Sequence, residues 1–101
     1  MLLRSFVLAW LLLQSVQDIY KSANDDFEAG RWADAAAKYE QVLNEDAKHI
    51  PSQFNLAVCR TRLGKSEEAA KNYAKALESV TNDSERRFLE RRMRELRAMR
   101  A

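Results

Sequence analysis

The sequence predicts an all-α chain: two consecutive helix–turn–helix hairpins, with an apolar helix ahead of them and a basic helix behind. Three observations predict it. The 101 residues contain only two Gly and one Pro, and good helix formers (Ala, Leu, Glu, Lys, Arg) dominate. Residues 16–49 laid over 50–83 match at six positions: Ala23/Ala57, Gly30/Gly64, Ala35/Ala69, Ala36/Ala70, Tyr39/Tyr73 and Leu43/Leu77. Chance would give about two in a window of that length at ordinary residue frequencies. The matches also fall on one helical spacing, with few period-two stretches that would argue for a sheet.

The first element, residues 1–15, contains the run Phe6-Val7-Leu8-Ala9-Trp10-Leu11-Leu12-Leu13, preceded by Arg4 and with no acid before Asp18. A basic lead and a short apolar core resemble a signal peptide or signal anchor. Eight helical residues span about 12 Å against a bilayer core of about 30 Å, too short for a conventional crossing. Cleavage after Ser15 would leave the bulky Leu13 where small residues are usual. Three readings stay open: a secretory signal or anchor, a helix buried against its own repeats or a partner, and an organellar targeting segment.

In the two repeat units, Gly30 and Gly64 stand where a first helix must stop, because glycine takes the left-handed conformation found there. Ser66 is expected to cap the helix that follows. Ala35 and Ala69 let two helix backbones approach closely. Tyr39 and Tyr73 lie one turn further on the same face, and Val42/Ala76 and Leu43/Leu77 continue that stripe. Pro51 suits a first helical turn.

These residues resemble the tetratricopeptide repeat family. Its pattern asks in order for a small residue, Gly, an aromatic, Ala, an aromatic and a small residue. The first unit offers Ala23, Gly30, Trp32, Ala35, Tyr39 and Val42; the second offers Ala57, Gly64, Ser66, Ala69, Tyr73 and Ala76. Ser22 departs from an expected leucine, Ser66 from an aromatic, and Ala47 and Thr81 from proline. The resemblance covers residues 16–83 and implies a fragment of a right-handed α-solenoid that acts by binding another protein.

Two repeats are fewer than an array usually needs, so the flanks should close its ends. Residues 84–101 hold seven Arg and three Glu. Phe88, Leu89, Met93, Leu96 and Met99 fall on one helical face, with Arg86, Arg87, Arg91, Arg94 and Arg97 mostly opposite. That is the pattern of a capping helix with a polar outer side, laced by pairs such as Glu90–Arg94, Arg86–Glu90 and Arg91–Glu95. Nucleic acid is not expected there, because glutamates dilute the charge and no stacking aromatics interleave. Contact with a protein or an anionic lipid stays open.

The resemblance also implies a groove lined by the first helix of each unit: Tyr20, Lys21, Asn24 and Phe27, then Phe54, Asn55, Val58 and Arg62. Some members of the family clamp a peptide C-terminal carboxylate between two asparagines and three cations. Asn24 and Asn55 match the asparagines, but Tyr20, Glu85 and Leu89 stand at the basic positions, so a carboxylate would lack the donors that offset its desolvation. His49, the lone histidine, falls in a turn with Glu45 and Asp46 nearby. Cys59, the lone cysteine, excludes an internal disulfide and reads as a buried apolar residue.

No catalytic residue, metal or cofactor is expected. The sequence therefore predicts a non-catalytic interaction adaptor, tethered at a membrane or delivered to an envelope, secretory or mitochondrial compartment through residues 1–15. The alternative is a small structural or assembly subunit of a membrane-associated complex. Self-association is allowed by either.

Overall fold

Two glycine turns set the fold. The computed structural model describes residues 2–100, with side chains described for 15–95, 97 and 98. Helix α1 (Leu2–Glu28) ends at Gly30, whose φ is +76°, and helix α3 (Ile50–Arg62) ends at Gly64, whose φ is +79°. Each glycine donates its N–H three residues back, to Phe27 and to Thr61. The next residue donates five back: Arg31 to Asp26 at 2.9 Å and Lys65 to Arg60 at 2.7 Å. This paired pattern satisfies the last carbonyls of a helix and needs a left-handed residue at its centre. The chain then reverses into α2 (Trp32–Glu45) and α4 (Ser66–Glu78).

Between the hairpins, the chain leaves α2 at Asp46 and enters α3 through His49. The His49 Nδ1 accepts the backbone N–H of Ser52 at 3.3 Å and lies 2.8 Å from the Ser52 hydroxyl. The histidine is thus a helix cap. Buried Gln53 ties the same turn down by donating to the Ala47 carbonyl at 2.7 Å. Pro51 occupies the first turn of α3, as the sequence suggests. Asn82 caps the fifth helix, α5 (Asp83–Arg100), by accepting the Glu85 N–H at 2.8 Å.

Packing follows the chain order, each helix against the next, and α5 sits on α4 more loosely than α3 sits on α2. Four small residues of the repeat serve close packing: Ala23, Ala35 and Ala57 have no exposed surface and Ala69 almost none. Two linked cores result. One gathers Ala23, Ala35, Ala36, Tyr39, Leu56 and Cys59, flanked by Tyr20, Phe27, Trp32 and Leu43. The other gathers Phe54, Ala57, Val58, Ala69, Tyr73 and Ala76 under Leu89 of α5.

The apolar run and the first repeat helix form one continuous helix. No helix among the described residues is long and apolar enough to cross a membrane. At α4 and α5 the structure departs from expectation. Helix α4 begins at Ser66 itself, with Lys65 in the cap position and making no side-chain cap bond; the Gly64 turn has already closed the chain. On α5, Leu89 is buried and Met93 half-buried, but Phe88 is 54% exposed. The helix rests on a narrower stripe than its apolar face offers. Leu96 and Met99 lie outside the described side chains. Among the described residues the ion pair on α5 is Arg92–Glu95 at 3.0 Å, not one of the expected pairs.

Candidate functional site

Helices α1, α3 and α5 line one side of the molecule, and between them lies an open concavity of about 630 Å³. Helix α1 contributes Tyr20. The first turns of α3 contribute Ile50, Pro51, Phe54 and Asn55, and α5 contributes Ser84, Glu85, Phe88, Leu89 and Arg92. The lining is apolar with one acid and one base. Arg92 holds its guanidinium 5.8 Å from the Phe54 ring centre, a cation–π contact that fixes it along the wall.

The groove residues expected from sequence separate into three groups. Tyr20, Phe54 and Asn55 do line the concavity. Tyr20 is braced edge-on against His49 at 4.9 Å and tilted against Tyr39 at 6.0 Å. Asn24 and Asn55 meet through a third residue: the Tyr39 hydroxyl donates to Asn24 Oδ1 at 2.6 Å and accepts from Asn55 Nδ2 at 3.2 Å. Burial pushes the Tyr39 phenol well above its ordinary value, so it stays neutral and serves both partners.

The other groove residues named from the sequence sit outside the concavity. Val58 is 5% exposed, packed in the core that Leu89 completes; α5 occupies the space in which a ligand would touch it. Phe27 turns toward the hairpin's end and packs edge-on against Trp32 at 5.2 Å and Tyr39 at 6.4 Å. Arg62 lies 5.5 Å over the Trp32 ring at the same end. Lys21 is exposed and does not line the concavity. Phe88, Ile50 and Pro51 do line it and were missed. Pro51 and Ile50 could have been found, since they open α3 on the same side as Phe54.

The opposite side carries polar links between helices. In the first hairpin Asp26 pairs with Lys38 at 2.6 Å and with Arg31 at 2.8 Å, and Lys38 also donates to Ser22 at 2.8 Å. The Lys38 and Arg31 hydrogen bonds hold the Asp26 carboxyl below its ordinary value. In the second hairpin the same two repeat positions carry Arg60 and Asn72, which also bond to each other, and Arg60 adds Glu40 at 2.7 Å. The geometry repeats while the chemistry changes. Cys59 is fully buried, and that burial pushes its thiol up to about 11, so it is unreactive at neutral pH. Among the described residues, no three His, Cys, Asp or Glu side chains gather as a metal site would need.

A comparison with curated proteins finds no match. The sequence model described as tetratricopeptide repeat matches residues 26–90, from the end of α1 through both glycine turns and half of α5. Repeats of this kind mediate protein–protein interaction. With the hairpin geometry, the glycine turns and a match over more than half of its length, the chain belongs to the tetratricopeptide repeat family.

Proposed function

We propose that the chain is a non-catalytic adaptor that holds a segment of another protein in the concavity between α1, α3 and α5. The observation that carries this is Phe88, a large aromatic 54% exposed on the wall of an apolar, charge-balanced concavity. An exposed ring beside Tyr20 and Phe54 offers apolar area to a helix or extended peptide. Asn55, already placed by Tyr39, offers a polar contact that fixes register. A carboxylate clamp has no support, since Glu85 and buried Leu89 stand where cations would be needed.

The adaptor works at a membrane in this reading. Helix α1 is 27 residues long and α2 is 14, so α2 reaches back only to about residue 15 along α1 at equal rise per residue. The apolar half of α1 therefore runs past the hairpin, with Arg4 as its one charge. A helix of that kind lies in a membrane interface or packs on a neighbouring subunit. The second course is the alternative function, a small subunit of a membrane-associated complex.

A mild-detergent pulldown of the full chain, read by intact mass, tests the site. The variant Asn55→Ala with Phe88→Ala should keep wild-type helicity and lose the co-purifying protein. Retention of the same protein by a folded double variant sinks the concave site. Phe54 is unsuitable for this test, because its ring is part of the core.

A further inference from the structure

The two hairpins share a backbone plan but differ at their closed ends. In the first, Phe27 and Trp32 meet edge to face at 5.2 Å and pack on the core that contains Ala36. Thirty-four residues later the same positions carry Thr61 and Ser66. Neither has the volume to replace an aromatic ring. A hollow of about 240 Å³ remains beside them, floored by Ala69, Ala70 and Ala74 and walled by Tyr73, Leu77 and Met93. An apolar cavity of about 150 Å³ already accommodates a benzene ring.

Among the described residues, the neighbouring helix offers the hollow Met93 and Arg97. At the first junction Leu56 and Cys59 of α3 share a core with Ala36, which is 8% exposed. The corresponding residues of α5 are Glu90 and Met93. Of these two only Met93 lines the hollow, and Ala70, the counterpart of Ala36, stays exposed. The rim is cationic. Arg97 borders the hollow, and Arg94 joins it along a cleft of about 300 Å³ that continues between α4 and α5, with Glu90 as the cleft's one acid. Among the described residues the ion pair on α5 joins Arg92 to Glu95, and Arg94 and Arg97 are exposed.

We infer that this hollow is a second docking site, which receives an aromatic side chain carried on an acidic segment of a partner protein. The first hairpin shows what fills such a space when the chain supplies it: a phenyl and an indole ring. The second hairpin lacks both, and two exposed arginines beside it, without an ion pair among the described residues, select carboxylates flanking the incoming ring. The site is separate from the concavity and does not depend on it.

The probe is a fluorescein-labelled twelve-residue peptide of glutamate and alanine with one central tryptophan, titrated by anisotropy into the full chain. Two control peptides carry alanine for the tryptophan, or lysine for the glutamates. The tryptophan peptide should bind at least tenfold tighter than either. The variant Thr61→Phe with Ser66→Trp rebuilds the first hairpin's pair from inside. It should raise Tm and weaken the peptide at least tenfold. The variant Arg94→Glu with Arg97→Glu, on exposed positions, should weaken it comparably at low salt and less at high salt. The single change Ser66→Trp replaces the double variant should that one fail to fold, and a peptide-induced shift of the Met93 methyl resonance needs no substitution.

Equal binding of the tryptophan and alanine peptides overturns the proposal. So does unchanged affinity in the filled variant, or no binding by the wild type up to millimolar peptide. Binding of phosphatidylserine-containing vesicles through Arg94 and Arg97, with the peptide inactive, assigns the arginines to a membrane and overturns it as well.

Discussion

The Tyr39 hydroxyl joins the first two hairpins at the scale of single atoms. It has no exposed surface, donates to Asn24 on α1 and accepts from Asn55 on α3. Removing it strands both amides' share of a buried hydrogen-bond pair. Tyr39→Phe should therefore cost about 1–3 kcal/mol, the range for an unsatisfied buried polar group, although the ring's apolar packing is unchanged. Urea titration monitored by circular dichroism measures it. A loss below about 0.5 kcal/mol would mean that water replaces the hydroxyl. Nothing in the sequence pattern revealed this link. The repeat marked Tyr39 as an aromatic filler and the two asparagines as groove residues, and only the meeting of three helices shows that one hydroxyl serves both.

Asp26 acts at the same scale with the opposite charge logic. Its carboxylate is held below its ordinary value of 3.8 by Lys38 and Arg31. It therefore binds a proton less readily folded than unfolded. The stability it contributes is present above about pH 4 and is lost as pH falls through the lowered value. Asp26→Asn should lower Tm at pH 7, and the gap between variant and wild type should close in the acid range. Melting curves collected from pH 7 down to pH 2 decide this; a gap that stays constant with pH rejects the ion pairs as its source.

At the scale of elements, the glycine turns were the most legible feature and the docking of α5 the least. Gly30 and Gly64 adopt the left-handed backbone that the repeat spacing implied, and a Cβ placed at either would meet no atom within 4 Å. The penalty for Gly30→Ala or Gly64→Ala is therefore conformational alone, roughly 1 kcal/mol once reduced unfolded-state entropy offsets part of the left-handed strain. Asparagine at either position should cost less than alanine. Chemical denaturation of the four single variants checks the order, and an alanine variant as stable as wild type would mean that the turn reshapes. By contrast, helical periodicity placed Phe88 and Leu89 on one apolar face without saying which would be covered. That depends on the rotation of α5 over α3, and the observed rotation buries Leu89 and leaves Phe88 in the concavity. The same rotation covers Val58, which is why a residue expected in the groove lies beneath it.

At the scale of the whole molecule, two hairpins make a thin core, and α5 covers one end of it. Leu89 is 3% exposed and belongs to the same core as Phe54, Val58 and Tyr73, so α5 closes an apolar surface that the second hairpin cannot close itself. At the other end, the apolar half of α1 extends beyond the reach of α2. Truncation after residue 82 should thus abolish cooperative thermal unfolding or drive association through the uncovered Phe54 and Val58. Leu89→Ala, the milder form of the same lesion, should cost about 2–5 kcal/mol. Deletion of residues 1–14 should leave a cooperative transition near the wild-type Tm and remove vesicle flotation. Circular dichroism melts and size-exclusion chromatography of the three chains separate these outcomes. If the N-terminal deletion is the one that unfolds, the apolar half of α1 belongs to the chain's own core, and its role in holding a membrane or subunit falls with that result.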